Sequence, residues 1–160
     1  MILSKEIAEK KLRRMAMQVA ERNHDKASII LIGIIDNGMA IAEKIAAYLQ
    51  EVFPGTVQLI SLKLDKKQPE AVELSDPLNF NDSTVLLIDD VANSGRTMLY
   101  ALKPLLNFLP HSIQTLALVE RTHKQFPVHL DYVGMSVSTS KNETIKVEVT
   151  DGEIAGAYLQ

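Results

Sequence analysis

Residues 85–97 read Val85-Leu86-Leu87-Ile88-Asp89-Asp90-Val91-Ala92-Asn93-Ser94-Gly95-Arg96-Thr97. Four apolar residues lead into two adjacent carboxylates, and a small polar turn follows before an apolar helical pattern begins. An uninterrupted Val/Leu/Ile run bounded by polar residues predicts a strand that is buried on both faces, as in a parallel sheet. Because open parallel sheets bind ligands beyond the carboxyl ends of their strands, we expect Asp89 and Asp90 at a ligand site.

The turn from Ala92 to Thr97 predicts a site for an anion. Gly95 permits a backbone conformation with positive φ, so that successive N–H groups can converge on one centre. Ser94 and Thr97 supply hydroxyl groups, and Arg96 supplies a fixed positive charge. These groups together favour a phosphate ligand.

The two carboxylates require a different partner, because carboxylates repel phosphate. Ionised acceptors bind hydroxyls strongly, so Asp89 and Asp90 are predicted to face sugar hydroxyls or a divalent metal. Neither G-x-x-x-x-G-K-[ST] nor G-x-G-x-x-G occurs in the chain, which excludes two commoner phosphate loops. The stretch therefore predicts a ribose-phosphate site, with an ordinary strand-turn-helix as the alternative.

Composition limits the class of protein. The 160 residues suffice for one domain with a sizeable core, and 46% are hydrophobic, so disorder is not expected. No apolar run approaches the ~18–20 residues that span a bilayer, and the first residues do not resemble a signal peptide. Because the chain has no cysteine and a net charge of −3, we expect a cytoplasmic protein with no membrane partner and no attraction to DNA.

Apolar periodicity predicts the arrangement of the remaining elements. Ser4 is placed to cap a first helix, and Pro104 should kink or end the helix predicted over 97–109. Further helices are predicted after residue 38 and at 153–159, and strands are predicted at 29–35, 56–64, 85–88, 113–119, 132–137 and 145–149. This alternation is typical of a doubly wound α/β fold, a mostly parallel sheet flanked by helices.

The polar segment 63–82 has no sustained period. Three lysines at its start precede two glutamates and two prolines. Long loops in compact domains are often lids or binding loops, so we expect a mobile or hairpin loop. The alternative is a plain surface connection.

The run 85–97 resembles the motif with which type I phosphoribosyltransferases bind 5-phosphoribosyl-1-pyrophosphate (PRPP). In that family the two acids hold the ribose hydroxyls, Mg²⁺ bridges these hydroxyls and the pyrophosphate, and the loop binds the 5′-phosphate. The resemblance implies that Asp89 and Asp90 are catalytic and ligate Mg²⁺. The implied ligands of the ribose 5-phosphate are Asp89, Asp90, Val91, Ala92, Asn93, Ser94, Gly95, Arg96 and Thr97.

Residues 118–128, 131–134 and 138–141 extend the similarity to one branch of the family, the bifunctional pyrimidine-operon attenuation regulators with uracil phosphoribosyltransferase activity. The resemblance implies a single domain over 1–160, with a flexible loop at 63–82 and a small hood at 136–160. It also implies transfer of the phosphoribosyl group of PRPP to uracil, giving UMP and pyrophosphate, and a homodimer or homotetramer. Two alternatives are a pyrimidine-nucleotide-sensing RNA regulator and a module that binds nucleotide without turnover.

The resemblance implies the remaining ligands as well. The implied pyrophosphate ligands are Asp36, Asn37, Gly38, Lys63, Lys66 and Lys67, and the implied base ligands are Arg121, Met135, Ser136, Val137 and Ser138. Asn93 stands where the hypoxanthine-guanine branch has an aspartate that assists protonation of the purine. A neutral amide cannot act as a carboxylate base, which favours uracil over the 6-oxopurines.

The loop Asp36-Asn37-Gly38 departs from the family pattern, which usually has a basic residue directly before the glycine. A charge pair is worth about 4 kcal/mol at ~4 Å and an effective dielectric of ~20, so an acid in this loop disfavours pyrophosphate unless Mg²⁺ intervenes. The alternative is that these residues form an ordinary tight turn.

RNA binding in the regulator branch uses a basic surface, to which His123 and Lys124 correspond. Two later positions that are basic in the branch are His129 and Met135 in this chain. A neutral histidine contributes little attraction for phosphate and a methionine contributes none. The sequence therefore argues against RNA as a partner.

Overall fold

The computed structural model describes residues 1–160, which form three α-helices, one 3-10 helix and nine strands. The helices are α1 (Lys5–Arg22), α2 (Asn37–Val52) and α3 (Arg96–Ala101), and the 3-10 helix covers Lys103–Asn107. The strands are β1 (Leu3–Ser4), β2 (Ser28–Ile34), β3 (Thr56–Leu64), β4 (Val72–Leu74), β5 (Thr84–Ala92), β6 (Ser112–Arg121), β7 (Tyr132–Val137), β8 (Ile145–Thr150) and β9 (Glu153–Leu159).

Six strands form the central sheet in the order β4-β3-β2-β5-β6-β7. The pairs β3–β2, β2–β5, β5–β6 and β6–β7 are parallel, and only β4 runs antiparallel to its neighbour. The predicted doubly wound, mostly parallel α/β fold is therefore confirmed. Strand β5 occupies the interior of the sheet, which explains why its apolar run has no polar face.

The two faces of the sheet carry separate apolar cores. Helices α1 and α2 cover one face, where α1 buries residues at helical spacing from Ala8 to Ala20. Helix α3 and the 3-10 helix cover the other face. The Ser4 side chain accepts a hydrogen bond from the Ile7 N–H at 3.4 Å, so the predicted cap is confirmed. None of the helices has the length and apolar character needed to cross a membrane.

A second, three-stranded antiparallel sheet has the order β1-β9-β8, and we call it the hood sheet. Our prediction of a terminal helix at 153–159 is wrong, because Glu153–Leu159 is strand β9. Asp151 and Gly152 have φ values of 51° and 77° and form a two-residue hairpin turn. An Asp-Gly pair between strands is a strong hairpin signal, and it outweighs the short helical pattern of the residues that follow.

The segment after β3 folds back as a hairpin, since β4 pairs with β3 from Leu62–Leu74 to Leu64–Val72. On the other side of the central strand, the helix predicted over 97–109 ends at Ala101, and a 3-10 helix containing Pro104 follows. The predicted interruption is confirmed, because proline lacks the N–H that would continue an α-helix.

Candidate functional site

Asp89 and Asp90 lie within strand β5, which continues two residues beyond them. Their exposed fractions are only 1% and 5%, although charged side chains are seldom buried without compensation. The backbone N–H of Asp90 donates to Asp89 Oδ1 at 2.8 Å, whereas Asp90 Oδ1 is buried and has no hydrogen-bond partner. The acid pair thus presents an unfilled acceptor at the carboxyl end of the sheet.

Lys66 is the cation that faces the acid pair. Its Nζ lies 3.7 Å from Asp89 Oδ1 and 3.8 Å from Asp90 Oδ1. Burial and the charge of Asp90 raise the pKa of Asp89 well above its ordinary value, although Lys66 opposes the shift. Burial lowers the pKa of Lys66, but the charges of Asp89 and Asp90 outweigh this effect and leave the pKa raised. Lys66 therefore does not fully offset the burial and mutual repulsion of the two acids. Its own charged form is stabilised by them.

A cavity of about 250 Å³ opens above the acid pair. Its lining combines four parts of the chain: the acids with the turn that follows them, the start of α2, the segment after β3, and strand β8 of the hood sheet. The lining residues are Asn37, Lys66, Asp89, Asp90, Val91, Ala92, Asn93, Ser94, Gly95, Arg96, Thr97, Met98, Ile145, Lys146 and Val147. All of the predicted ribose 5-phosphate ligands thus surround one cavity.

The turn between β5 and α3 has the backbone form that the sequence predicts. Gly95 has a φ of 87°, and a Cβ there would lie 3.3 Å from the carbonyl oxygen of Phe126. The backbone N–H groups of Gln125 and Phe126 both donate to the Ser94 carbonyl, at 3.0 and 3.1 Å. Ser94 and Thr97, which carry the hydroxyls of the turn, both line the cavity, and the Ser94 hydroxyl accepts from the Arg96 N–H at 3.3 Å.

The Arg96 guanidinium donates to the Lys66 carbonyl at 2.8 Å. This contact connects the turn after β5 with the segment after β3. It holds the backbone at Lys66 where the side chain reaches the acids, so Arg96 has a structural partner within the chain.

The predicted pyrophosphate residues after β2 lie next to the acid pair. Asn37 Nδ2 donates to Asp90 Oδ2 at 3.1 Å and to the Val147 carbonyl at 2.9 Å, so its amide is already paired. A Cβ on Gly38 would lie 2.9 Å from Asp89 Oδ1, so the glycine permits α2 to begin against the acid pair. Asp36 precedes α2 without capping it through its side chain.

Lys63 and Lys67, two of the three predicted pyrophosphate lysines, do not line the cavity. Lys63 pairs with Glu73 in the register of β3 and β4, and its side chain is exposed. Lys67 is also exposed, and its backbone N–H donates to Asp65 Oδ1 at 2.9 Å. Only Lys66 of this group reaches the acids.

The predicted base ligands also lie outside the cavity. Arg121 donates to the Ser140 carbonyl at 2.7 Å, and Ser136 donates to Glu120 Oε1 at 2.8 Å. Met135 packs against the apolar core. The remaining two predicted base ligands, Val137 and Ser138, complete strand β7 and begin the connection to the hood sheet.

The two residues predicted for RNA contact differ in their surroundings. His123 is exposed. Lys124 Nζ lies 2.6 Å from Glu120 Oε2, and both side chains are mostly buried. The lysine is therefore an internal partner of Glu120 and presents no free charge at the surface.

Sequence reasoning placed a small hood at 136–160 over the site but did not identify the residues of β8 that line the cavity. Ile145, Lys146 and Val147 line it, and Asn93 binds Ile145 through both its oxygen and its nitrogen, each at 3.1 Å. The alternation of apolar residues in β8 predicted a strand but gave no sign of where that strand would dock. The Asp-Gly pair could have revealed the hairpin, but not its position over the acid pair.

Comparison with known proteins adds a family to this geometry. A profile described as phosphoribosyl transferase domain matches residues 1–151. The bifunctional protein PyrR of Deinococcus radiodurans is 35% identical over 163 residues, covering 94% of this chain and 89% of that protein. The bifunctional protein PyrR of Bacillus subtilis is 29% identical over 172 residues, covering 98% and 95%. The hypoxanthine phosphoribosyltransferase of Trypanosoma cruzi has a similar fold, with a TM-score of 0.82, 15% identity and coverage of 99% and 94%.

Proposed function

This chain belongs to the phosphoribosyltransferase family, in the group of the bifunctional protein PyrR, and from that premise we propose that it transfers the 5-phosphoribosyl group of PRPP to uracil. The products are UMP and pyrophosphate. The observation that carries the proposal is the single cavity in which the buried acid pair and the turn 91–97 meet. The acid pair matches the ribose hydroxyls of PRPP, and the turn 91–97 matches its 5′-phosphate.

The acid pair is suited to hold the ribose. The unpaired Asp90 Oδ1 is a buried acceptor, and leaving such a group unsatisfied costs about 1–3 kcal/mol or more. A ribose hydroxyl that donates to it would form a charge-assisted hydrogen bond. Binding would therefore be stabilised by satisfying an atom that the free protein leaves without a hydrogen-bond partner.

The same carboxylates fit a divalent cation. No group of three or more His, Cys, Asp or Glu side chains is placed to hold a metal, so a cation would rely on Asp89, Asp90 and oxygens of the substrate. Mg²⁺ commonly binds in this manner, through one or two carboxylates together with substrate phosphates. When bound, it would supply positive charge against the pyrophosphate that leaves.

The turn 91–97 would position the 5′-phosphate. The positive φ of Gly95 turns the backbone so that neighbouring N–H groups face one side. The hydroxyls of Ser94 and Thr97 border the same cavity. Holding the phosphate and the hydroxyls at two fixed points would orient carbon 1 of the ribose toward the incoming base.

In the proposed reaction, N1 of uracil forms a bond to carbon 1 while the bond from carbon 1 to the pyrophosphate oxygen breaks. The proton of N1 is released, and the bonding electrons leave with pyrophosphate. Lys66 is the cation nearest to the acid pair, and we assign it to the developing negative charge. Asn93 is neutral and both ends of its amide are bonded to Ile145, so it offers no base for a purine.

RNA binding is less well supported than transfer. Lys124 is paired with Glu120, and positions 129 and 135 carry no fixed positive charge. Binding of a pyrimidine-operon leader that weakens steeply with salt would establish the regulator alternative instead.

The proposal is tested by incubating the protein with PRPP, Mg²⁺ and labelled uracil and separating UMP by chromatography. Hypoxanthine, guanine, adenine and orotate serve as competing bases in parallel reactions. We expect UMP from the wild type and about 10³-fold slower UMP formation by Asp90→Asn. A loss of less than tenfold in Asp90→Asn would remove the acid-pair assignment, and a nucleotide formed only with another base would replace uracil as the substrate. PRPP binding without any product would leave a nucleotide-binding module.

A further inference from the structure

Two asparagine side chains connect the hood sheet to the two loops of the site. Asn93 in the turn after β5 donates to the Ile145 carbonyl and accepts from the Ile145 N–H, both at 3.1 Å. Asn37 in the loop after β2 donates to the Val147 carbonyl at 2.9 Å. All three bonds are made to the backbone of strand β8, so they fix that strand independently of its side chains.

Strand β8 is an edge strand, because β9 is its sole neighbour in the hood sheet. Thr144 and Gln160 exchange backbone hydrogen bonds, so in the alternating antiparallel pattern Ile145 and Val147 direct their N–H and C=O groups away from β9. An edge strand leaves such groups unpaired unless something covers them. The two asparagines cover this edge, and Asn93 does so with one donor and one acceptor, as a neighbouring strand would.

Asn37 also joins the hood sheet to the acid pair. Its single Nδ2 donates to Asp90 Oδ2 at 3.1 Å as well as to Val147. A ligand that changes the charge or the position of Asp90 therefore changes one partner of an amide whose other partner is the hood strand. Asn93 has no such contact with the acids and is bonded to Ile145 alone.

We propose that Asn37 and Asn93 are positioning residues that latch strand β8 over the phosphoribosyl site, and that Asn37 conveys occupation of the acid pair to the hood sheet. The proposal gives the loop after β2 a role other than holding pyrophosphate. It rests on the proposed function only for the identity of the ligand, since the latch is present in the free protein.

Backbone hydrogen exchange in the ligand-free protein tests the latch without requiring activity. We expect Asn93→Ala to raise the exchange rate of the Ile145 amide by about tenfold, because that amide loses its acceptor. Asn142→Ala is a matched control in the same hood segment, where the asparagine is exposed, and it should leave the Ile145 rate unchanged. Equal rates in the wild type and in Asn93→Ala would overturn the latch.

Conservative variants separate positioning from a general loss of structure. Asn93→Asp keeps the acceptor for the Ile145 N–H but places a charge against the Ile145 carbonyl, so we expect partial protection of that amide. Thermal unfolding shows whether each variant remains folded. If Asn93→Ala unfolds, the comparison of Asn93→Asp with the wild type decides the question, and equal protection in the two would argue against a donated bond to the carbonyl.

The coupling through Asn37 is tested by adding PRPP with Mg²⁺ and comparing exchange across 145–150. We expect the ligand to change exchange there in the wild type, and Asn37→Ala, measured at a PRPP concentration that saturates the variant, to abolish most of that change. A ligand response that is unchanged in Asn37→Ala would refute the coupling. If the wild type binds PRPP but forms no UMP, the proposed function is wrong. The coupling is then still tested, because the exchange experiment requires binding of PRPP and not turnover.

Kinetics provide a readout that a purely structural role would not give. Because Asn93→Ala leaves the acid pair and Lys66 in place, we expect it to raise the KM for uracil by about tenfold with a smaller effect on kcat. A fall in kcat at unchanged KM would contradict a role in holding the strand that closes the site.

Discussion

The loops that follow β2 and β5 lie side by side at the carboxyl edge of the sheet, yet they use their side chains in opposite ways. The backbone N–H groups of residues 125 and 126 donate to the carbonyl of the turn after β5, and every residue of that turn lines the cavity. The loop after β2 directs the amide of Asn37 to Asp90 and Val147, inside the protein. Both loops therefore lie where a parallel sheet can bind a ligand. The bonds that their side chains make within the protein determine which loop has groups left for a ligand.

The difference has an electrostatic consequence for the proposed reaction. The loop after β2 carries the negative charge of Asp36 and no cation, so positive charge for a pyrophosphate must come from elsewhere. We assign this role to Lys66, which lies at the acid pair and whose carbonyl accepts a hydrogen bond from Arg96. The cation thus comes from the hairpin segment after β3 and not from the loop after β2. The following variants test these separate roles.

The largest effect is expected when the acid pair near the end of β5 loses a charge. Asp90→Asn keeps the shape of the side chain but removes the ionised acceptor for a ribose hydroxyl or a cation, so we expect kcat/KM for UMP formation to fall by about 10³-fold. Asp25→Asn makes the same chemical change at an exposed position and should retain full activity. A loss of less than tenfold in Asp90→Asn would show that the acid pair does not dominate the site.

Lys66→Met removes the cation next to the acid pair while keeping most of the apolar stem. We expect UMP formation to fall by about 10–100-fold, chiefly through weaker binding and stabilisation of pyrophosphate. Lys63→Met is the matched control, because Lys63 is exposed and does not line the cavity, and it should change the rate by less than about threefold. Equal losses in the two variants would mean that the segment rearranges around the substrate.

The charge of Asp89 should be visible in the pH dependence of stability. Burial, followed by the charge of Asp90, raises the pKa of this carboxyl well above its ordinary value of 3.8. The folded protein then binds more protons than the unfolded chain, so its free energy of unfolding falls as the pH rises from about 4 toward the raised pKa. Asp89→Asn should flatten that part of the profile in denaturant titrations, and an unchanged slope would show that Asp89 ionises freely.

Two glycines allow the loops to be compared by stability. Gly38→Ala would place its Cβ 2.9 Å from Asp89 Oδ1 and 3.0 Å from the Asp89 Cα, so α2 must move and we expect a loss of about 1–3 kcal/mol. Gly95→Ala forces a φ of 87° on an alanine, which costs about 1–2 kcal/mol. Thermal and denaturant unfolding measure both. A smaller loss for Gly38→Ala than for Gly95→Ala would indicate that the start of α2 yields easily.

Local chemistry explains which parts of this molecule were predictable. One continuous stretch of sequence contains the buried run Val85–Ile88, the two acids that follow it and the turn at Gly95. The pattern of this stretch predicted both a strand and a ribose-phosphate site. The docking of β8 depends on Asn37 and Asn93 meeting a strand more than fifty residues away, and no local pattern carries that information. The same applies to the lysines, because the path of the hairpin decides that Lys66 reaches the acids.

The smallest effect is expected from removing the negative charge in the loop after β2. The charge of Asp36 acts on Lys66, whose pKa it helps to raise after the larger effects of burial and of the acid pair. Asp36 is exposed, so solvent weakens its repulsion of a pyrophosphate, and we expect Asp36→Asn to tighten inhibition by pyrophosphate by about two- to fivefold. The gain should shrink at high salt, because salt screens exposed charges.

Glu51→Gln is the matched control for Asp36→Asn, since it changes the net charge equally at an exposed position near the far end of α2. An equal gain in the two variants would mean that the overall charge, and not the loop after β2, governs the response. No gain in Asp36→Asn at low salt would mean that pyrophosphate binds away from this loop. In that case the loop after β2 would differ from the loop after β5 both in its charge and in its distance from the bound ligand.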